Sequence, residues 1–544
     1  MTKPASNIPP VLRPENPPKR TLSELAERFG RDSRGSLEGV EVRGVTLATS
    51  DLHPGEVFVA INGRNRHGAE FAQAAADAGA VAIVTDAAGA DIAEPAGLPI
   101  VIVDDPRGML GELSKWAFGT DHDLPILLGT TGTDGKTSIT HILDGILTQM
   151  GVVAGISSSA LRTIAGESVQ ARLTTPEAYE MHALLAVMRE RHVEAAAIEV
   201  SVQAIMRHRV DAIVFDVSAF TNLSHDHMDD FSGMEEYLEA KLPLFRPDRA
   251  RRSVVSLDTP AGATVVERAE VPVVTIATPA IAVDQDLAAT AEWTVTVHEE
   301  TLDGTGFTLA NNKDGRTFTT FVPVIGPHMA ANAGMAIVML LEAGYSWERI
   351  TGAIEKDGAI RAHLPGRAER IHGEGDGPAV YVDFGHTPVG IEKTLEAVRR
   401  VTTGKLVVMM GADGSRDTTK RFAMGKAAAQ YGDVVIITDH NPRWEDPAVV
   451  RRMLLEGAWS LKSEDEAYEV VPPEKAIVDA VGLVGPGDAI MWFGPGHQDH
   501  REVQGVRLFY SGRELARRAL IDAGWPVGER SWRDPYEAQE AAEA

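Results

Sequence analysis

The stretch GTTGTDGKTS at residues 129–138 follows the apolar run PILL and precedes ITHILDGILTQMG. A conventional phosphate-binding loop carries a glycine five positions before the glycine of its Gly-Lys pair. That pair is Gly135-Lys136 here, and five positions back stands Thr130, with the expected glycine displaced to Gly129. The segment is therefore either a phosphate cradle of a particular subtype or a glycine-rich turn that contains a lysine. Downstream apolar residues fall at Ile139, Ile142, Leu143, Ile146, Leu147 and Met150, one face of a helix that Gly151 can stop. A buried strand before and an amphipathic helix after is the setting in which backbone N–H groups, a helix N-terminus and a lysine hold phosphate together. In that reading Lys136 neutralises charge, and Thr137 or Ser138 offers a hydroxyl to Mg²⁺.

The bulk composition bounds the rest. At 544 residues the chain exceeds one hydrophobic core, so two to four domains are expected. There is no cysteine, which excludes disulfides, thiolate metal sites and a thiol nucleophile. A net charge of −26 argues against a general nucleic-acid binder, although a local basic cradle can still hold a small anion. No run approaches the roughly 18–20 apolar residues of a membrane span, so no membrane insertion is expected and the setting is read as cytoplasmic. Residues 1–20, rich in proline and polar groups, read as a disordered leader, and the acidic tail DPYEAQEAAEA as a solvated end.

Three sections follow. Residues 21–122 form a small α/β unit containing the strand EVFVAING, the helix-strand stretch GAEFAQAAADAGAVAIVTD and the alternating LPIVIVDD. Residues 123–362 begin at the strand before the glycine loop, and residues 363–544 begin near the turn LPGR. The last section alternates PAVYVDFG, KLVVMMG, DVVIITD and GDAIMWFGPG with helices, which implies a parallel sheet with ligands at the carboxyl ends of its strands.

Two further residues invite a chemical reading. Glu199 ends the apolar strand preceding SVQAI, where an unpaired charge is costly. A magnesium ion would resolve that cost, and so would a salt bridge to Arg207 or Arg209. Lys241 falls on a helical stripe with Met234, Tyr237, Leu238, Leu242 and Phe245, either as a lysine whose head escapes to water or as one held inside a site. His227, flanked by Asp226, is a candidate metal ligand or a surface histidine.

Together these segments resemble the ATP-dependent Mur ligases, in particular the MurE type, across residues 40–515. The resemblance rests on ordered pieces: TGTDGKTS, TTPEA at 174–178, EVS at 199–201, FTNLSHDHMD at 220–229, EAKLPLF at 239–245, PGR at 365–367, VDFGHTP at 382–388, SRDTTKR at 415–421, HNPRWEDP at 440–447 and GPGH at 494–497. The displaced glycine belongs to that family's own loop. The resemblance implies an α/β fold of three domains: a small N-terminal UDP-binding unit, a central P-loop ATPase-like parallel-sheet unit and a C-terminal Rossmann-like unit. It implies a monomer that adds the third amino acid to UDP-N-acetylmuramoyl-L-alanyl-D-glutamate through an acyl phosphate, using ATP and Mg²⁺.

By the same resemblance, Gly132, Thr133, Asp134, Gly135, Lys136, Thr137 and Ser138 form the phosphate loop. Thr137, Glu199, His227 and Lys241 correspond to the Mg²⁺ sites, with Lys241 at the position that is carbamylated in the family. Asn332 corresponds to the adenine contact, and Arg367, Asp383 and His386 reach the nucleotide from the third domain. Thr49, Arg64, Asn65 and Arg66 fall at the UDP-sugar positions, while Thr174, Thr175, Ser201, Arg207 and Arg209 fall at those that grip the muramoyl-dipeptide. Arg416, Asn441, Arg443, Gly494 and Gln498 correspond to the pocket for the free amino acid.

The chain departs from the family pattern at several places. EVSSHAL is EVSVQAI, so Gln203 replaces a histidine; DNPR is HNPR, and GKGHE is GPGHQ. Arg443 suits a side chain that ends in a carboxylate, such as diaminopimelate, whereas Gln498 lacks the charge that would pair with an ammonium. Asp134 puts a carboxylate in the phosphate loop, where it can cap the following helix or face the nucleotide. The alternatives are a divergent paralogue with another carboxylate acceptor or amino acid, and a non-catalytic nucleotide-binding protein. The N-terminal unit speaks against a folylpolyglutamate-type enzyme, and the joint presence of Lys136, Glu199, His227 and Lys241 speaks against loss of catalysis.

Overall fold

The computed structural model describes residues 11–63, 65–169, 173–226, 228, 230–371 and 377–527. Three sheets organise them. The first holds five strands in the order Asp32–Arg34, Ile100–Ile102, Ala82–Thr85, Glu56–Ala60, Gly44–Thr46, parallel except for the first. Valines such as Val57, Val59 and Val84 fill one face, where helix Leu110–Phe118 covers them. Residues 11–20, read from sequence as part of a disordered leader, pack against this unit. Val11 is buried in its core, and Arg13 is ion-paired with the buried Glu56. Residues 1–10 and the acidic tail lie outside the described residues.

The central sheet has eleven strands and is mixed. Its parallel part runs Ala154–Ser157, Ala195–Glu199, Ile126–Thr131, Val217–Phe220, Ser253–Ser256, Val273–Ala277, Trp293–Thr301. Antiparallel strands extend both edges, with Gly304–Asn311 and Thr317–Val322 on one side and Arg162–Ile164 and Glu167–Val169 on the other. The expected parallel sheet is thus the middle of a wider one. Helix Lys136–Gln149 buries the apolar face anticipated for it, with Ile139, Ile142, Leu143, Ile146 and Leu147 all at 0% exposure.

The third sheet runs Glu369–Arg370, Ala379–Asp383, Ala489–Phe493, Leu406–Met410, Val434–Ile437, Ala467–Glu469, parallel except at Glu369–Arg370. Helix Pro388–Val401 packs its Ile391 and Leu395 into one apolar cluster with Val295 and Phe307 of the central sheet. Tyr381 donates to the Leu302 carbonyl at 2.9 Å across the same junction. The antiparallel extension therefore serves as the platform on which the third unit sits. Its position brings the carboxyl ends of two parallel sheets to face each other. Among the described residues no helix is long and apolar enough to cross a membrane.

Candidate active site

The glycine loop connects strand Ile126–Thr131 to helix Lys136–Gln149, as its sequence demands. Gly132 has φ 146° and Gly135 φ 90°, conformations that glycine adopts without strain. A Cβ on Gly132 would come within 1.9 Å of Thr221 Oγ1, and one on Gly135 within 2.7 Å of Asn332 Oδ1. The loop is stitched to the segment after strand Val217–Phe220. Thr133 N donates to the Asn222 carbonyl at 3.0 Å, and Thr221 Oγ1 donates to the Asp134 carbonyl at 2.6 Å. Lys136 folds back over the loop and donates to the carbonyls of Gly132 at 3.1 Å and Thr133 at 2.7 Å.

Asp134 does not cap the helix: the N-cap residue is Gly135, which supplies no side-chain bond. The Asp134 carboxylate instead accepts from Ser224 Oγ at 3.2 Å and from Thr387 Oγ1 of the third unit at 3.3 Å. It is a tie between units.

Glu199 is wholly buried at the end of its strand. Ser159 donates to it twice, from N at 3.0 Å and from Oγ at 2.9 Å. The salt bridge considered from sequence does not form. Arg209 pairs with Glu177 at 2.9 Å, and among the described residues neither Arg207 nor Arg209 pairs with Glu199. A buried carboxylate without a cation is costly, so its donor set suits a divalent ion. The Thr137 hydroxyl shares the same neighbourhood, 3.3 Å from Ser159 Oγ. No group of three or more His, Asp or Glu residues forms a metal cluster among the described residues, so ligand oxygens would have to complete the shell.

Lys241 is 1% exposed. The stripe from 234 to 245 is not one helix: Met234–Glu239 is followed by a break and the 3₁₀ turn Leu242–Phe245, with Lys241 at the junction. Its ammonium donates to the Gly132 carbonyl at 3.1 Å and lies 4.3 Å from the centre of the Tyr237 ring. Burial, reinforced by the nearby Lys136, pushes this amine well below its ordinary range. The head is inside, not escaping to water. His227 and Arg64 lie outside the described residues.

One cavity of about 530 Å³ joins these groups to the third unit. The phosphate loop, Thr174, Ser201, Arg207, Arg209 and Asn332 line it from the central unit, and Arg367, Asp383, His386, Arg416, Arg443, Gly494 and Gln498 from the third. Thr175 and Asn441 stand behind this lining. Thr175 donates to the Glu199 carbonyl at 2.8 Å, and Asn441 Nδ2 donates to Gln498 Oε1 at 2.9 Å. Arg367 reaches across and donates to Thr137 Oγ1 at 2.9 Å, while Asp383 accepts from the Ala368 amide at 2.6 Å. Thr49, Asn65 and Arg66 of the first unit do not line the cavity; Arg66 stacks over Phe71.

Sequence reading assigned no role to three residues that the fold places here. Asp226, 3% exposed, pairs with Lys420 of the third unit at 3.1 Å and faces His386 at 3.7 Å. Asp413 pairs with Arg443 at 3.2 Å. A carboxylate just after an apolar strand, as in VVMMGAD, was the available signal for Asp413.

Comparisons with known proteins accord with this geometry. Residues 41–116 match the Mur ligase family catalytic domain, 130–340 the Mur ligase middle domain and 366–496 the Mur ligase glutamate ligase domain. The chain is 52% identical over 525 residues to the UDP-N-acetylmuramyl-tripeptide synthetase of Leifsonia xyli, covering 96% of this chain and 100% of that protein. It is 38% identical to the UDP-N-acetylmuramoyl-L-alanyl-D-glutamate–2,6-diaminopimelate ligase of Streptomyces coelicolor, over 92% of this chain and 96% of the relative. A solved 2,6-diaminopimelate ligase of the same description shares the fold, with a TM-score of 0.63 at 22% identity, over 93% of this chain and 99% of that one. With all three of its units matched in order, the chain belongs to the Mur ligase family, among the MurE-type tripeptide synthetases.

Proposed function

We propose that the protein is an ATP-dependent amide ligase that adds the third amino acid to UDP-N-acetylmuramoyl-L-alanyl-D-glutamate in peptidoglycan precursor synthesis. The observation that carries this reading is the single cavity in which Lys136, Glu199 and Lys241 face Arg367, Arg416 and Arg443 of the third unit. Such a site can hold a nucleotide, a carboxylate and an amine side by side.

In the reaction, the terminal carboxylate of the dipeptide takes the γ-phosphoryl group of ATP, giving an acyl phosphate and ADP. The amine of the incoming amino acid attacks the acyl carbon, loses a proton, and the tetrahedral species expels phosphate. The loop amides at the start of helix Lys136–Gln149 cradle phosphate oxygens, and Lys136 exchanges its loop carbonyls for phosphate. Arg367 closes over Thr137 and brings positive charge from the opposite side. Thr137 and Glu199 would hold one Mg²⁺, with His227 and a carbamate on Lys241 serving a second. When bound, Mg²⁺ neutralises charge where phosphate and carboxylate meet. Burial lowers the Lys241 amine from its ordinary range and so favours the neutral form, the one that adds CO₂ to become a carbamate. The UDP-sugar would run toward Thr49, Arg64, Asn65 and Arg66, with Thr174, Ser201, Arg207 and Arg209 along the peptide and Asn332 beside adenine. In this reading the enzyme works in the cytoplasm as a monomer.

The test is phosphate release with ATP, Mg²⁺, UDP-N-acetylmuramoyl-L-alanyl-D-glutamate and a panel of amino acids. Turnover is expected with one amino acid class. Binding of ATP without turnover on any of them would overturn the reading.

A further inference from the structure

The amino-acid end of the cavity carries a charge arrangement that decides what side chain it accepts. Arg443 is fixed by its backbone: its N donates to Glu502 O at 3.0 Å and its carbonyl accepts from Gln504 N at 2.7 Å. Its guanidinium already has a carboxylate beside it, because Nη2 donates to Asp413 Oδ2 at 3.2 Å. The second carboxylate oxygen, Asp413 Oδ1, is buried and has no hydrogen-bond donor among the described residues. The nearest candidate, His440 Nε2, is 3.5 Å away, and burial drives that ring toward its neutral form. Gln498 Oε1 accepts from Asn441 at 2.9 Å and keeps a second lone pair. Arg416, exposed on the same wall, makes no ion pair among the described residues.

Among the described residues the wall therefore offers Arg416, a cation without an ion pair, and an oxygen on Asp413 that lacks a donor. We propose that Asp413 is a specificity-determining residue that receives the side-chain ammonium of the incoming amino acid, which is a diamino monocarboxylic acid and not a diamino dicarboxylic one. The α-carboxylate then pairs with Arg416, and the terminal ammonium pairs with the Asp413 carboxylate that lines the cavity. A distal carboxylate directed at Arg443 meets the Asp413 carboxylate beside it, an arrangement that rejects by repulsion as well as by lost pairing. The retained arginine of HNPR, which by itself suits diaminopimelate, is neutralised by a residue from a different loop.

This inference rests on the ligase reading, and its test separates the two. Wild-type enzyme is assayed with L-lysine, L-ornithine and L-2,4-diaminobutyrate against meso-diaminopimelate and the uncharged L-norleucine. At least one diamino monocarboxylic acid is expected to exceed both of the others in kcat/KM by ~10-fold or more, the scale of one charge-assisted hydrogen bond. Asp413→Asn, which keeps the shape, is expected to lower that preference by a similar factor with KM for ATP unchanged. Asp413→Gly, which releases Arg443, is expected to raise relative turnover of meso-diaminopimelate. Equal or better use of meso-diaminopimelate or norleucine by the wild type overturns the proposal and leaves the ligase reading standing. So does an unchanged ratio in a folded Asp413→Asn protein. Absence of turnover with every amino acid overturns both. The wild-type panel decides the matter even where a variant fails to fold.

Discussion

At the scale of single residues, Asp134 and Lys241 show how far a side chain's neighbours change its meaning. From sequence, Asp134 had two readings, a helix cap or a charge facing the nucleotide, and the fold excludes the cap. Its carboxylate joins Ser224 to Thr387, a partner 253 positions away that no local pattern reveals. It still lines the cavity beside the phosphate loop. Asp134→Asn keeps an acceptor for these hydroxyls and removes a negative charge near phosphate. Its expected effect is a KM for ATP lowered about two- to fivefold, the scale of one partly screened charge, as read from initial rates at fixed dipeptide. Lys241 was legible as an anomaly, a cation on an apolar stripe, and the fold explains the anomaly by full burial beside Gly132 and Tyr237. Lys241→Ala is expected to lose turnover while ATP binding persists, with partial recovery on adding a short carboxylate such as formate. Recovery would show as renewed phosphate release; its absence at saturating formate would count against the carbamate. Thr49, Asn65 and Arg66 stand apart from this cavity, so their correspondence to the UDP site rests on motif alone.

At the scale of elements, helix Lys136–Gln149 was the most legible part of the chain, because its period and its glycine stop are local. The antiparallel extension was not. WTVTVHEET alternates as a strand should, but its place on the edge of the parallel sheet depends on pairing with Gly304–Asn311 and Val273–Ala277. The same helix holds a charge that its period does not explain. Burial pushes the Asp144 carboxyl up to about 6, with no charged partner contributing. Because this folded value lies above the unfolded 3.8, its stabilising contribution is complete below about pH 4 and is lost as pH rises through 6. At neutral pH the ionised group costs up to about 2–3 kcal/mol, taking ~1.4 kcal/mol per pH unit of displacement. Asp144→Asn should therefore raise the melting temperature by a few degrees at pH 7.5 and leave it nearly unchanged at pH 4. Thermal melts at the two pH values check this. An equal gain at both would point to packing instead of charge.

At the scale of the whole molecule, the site exists only because two sheets present their carboxyl ends to each other. Polar contacts across that gap include Arg367 to Thr137, Thr387 to Asp134, and Lys420 to Asp226. They lie beside the apolar contact that helix Pro388–Val401 makes with the central sheet. The sequence divides into the right kinds of unit, but this meeting is set by tertiary geometry, and so Lys420 carried no local sign of its part. In its ion pair Asp226 is buried, at 5% side-chain exposure, and Lys420 is largely covered, at 11%. Removing the lysine from such a pair takes away part of the compensation of a buried charge, at a cost of up to about 3–5 kcal/mol. The protein can avoid that cost by opening the gap, which hydrates Asp226. Lys420→Met is therefore expected to shift the nucleotide-free enzyme toward open forms rather than unfold it. Small-angle scattering should record a larger radius of gyration than for the wild type, with kcat reduced at least ~10-fold and the melting temperature little changed. A compact Lys420→Met protein with normal kcat would show that the pair follows closure and does not hold it. Because Asp226 also faces His386 at 3.7 Å, the double variant Lys420→Met, Asp226→Asn removes both the cation and the stranded charge. It should recover much of the compact population, which separates the effect of the uncompensated charge from that of the lost contact.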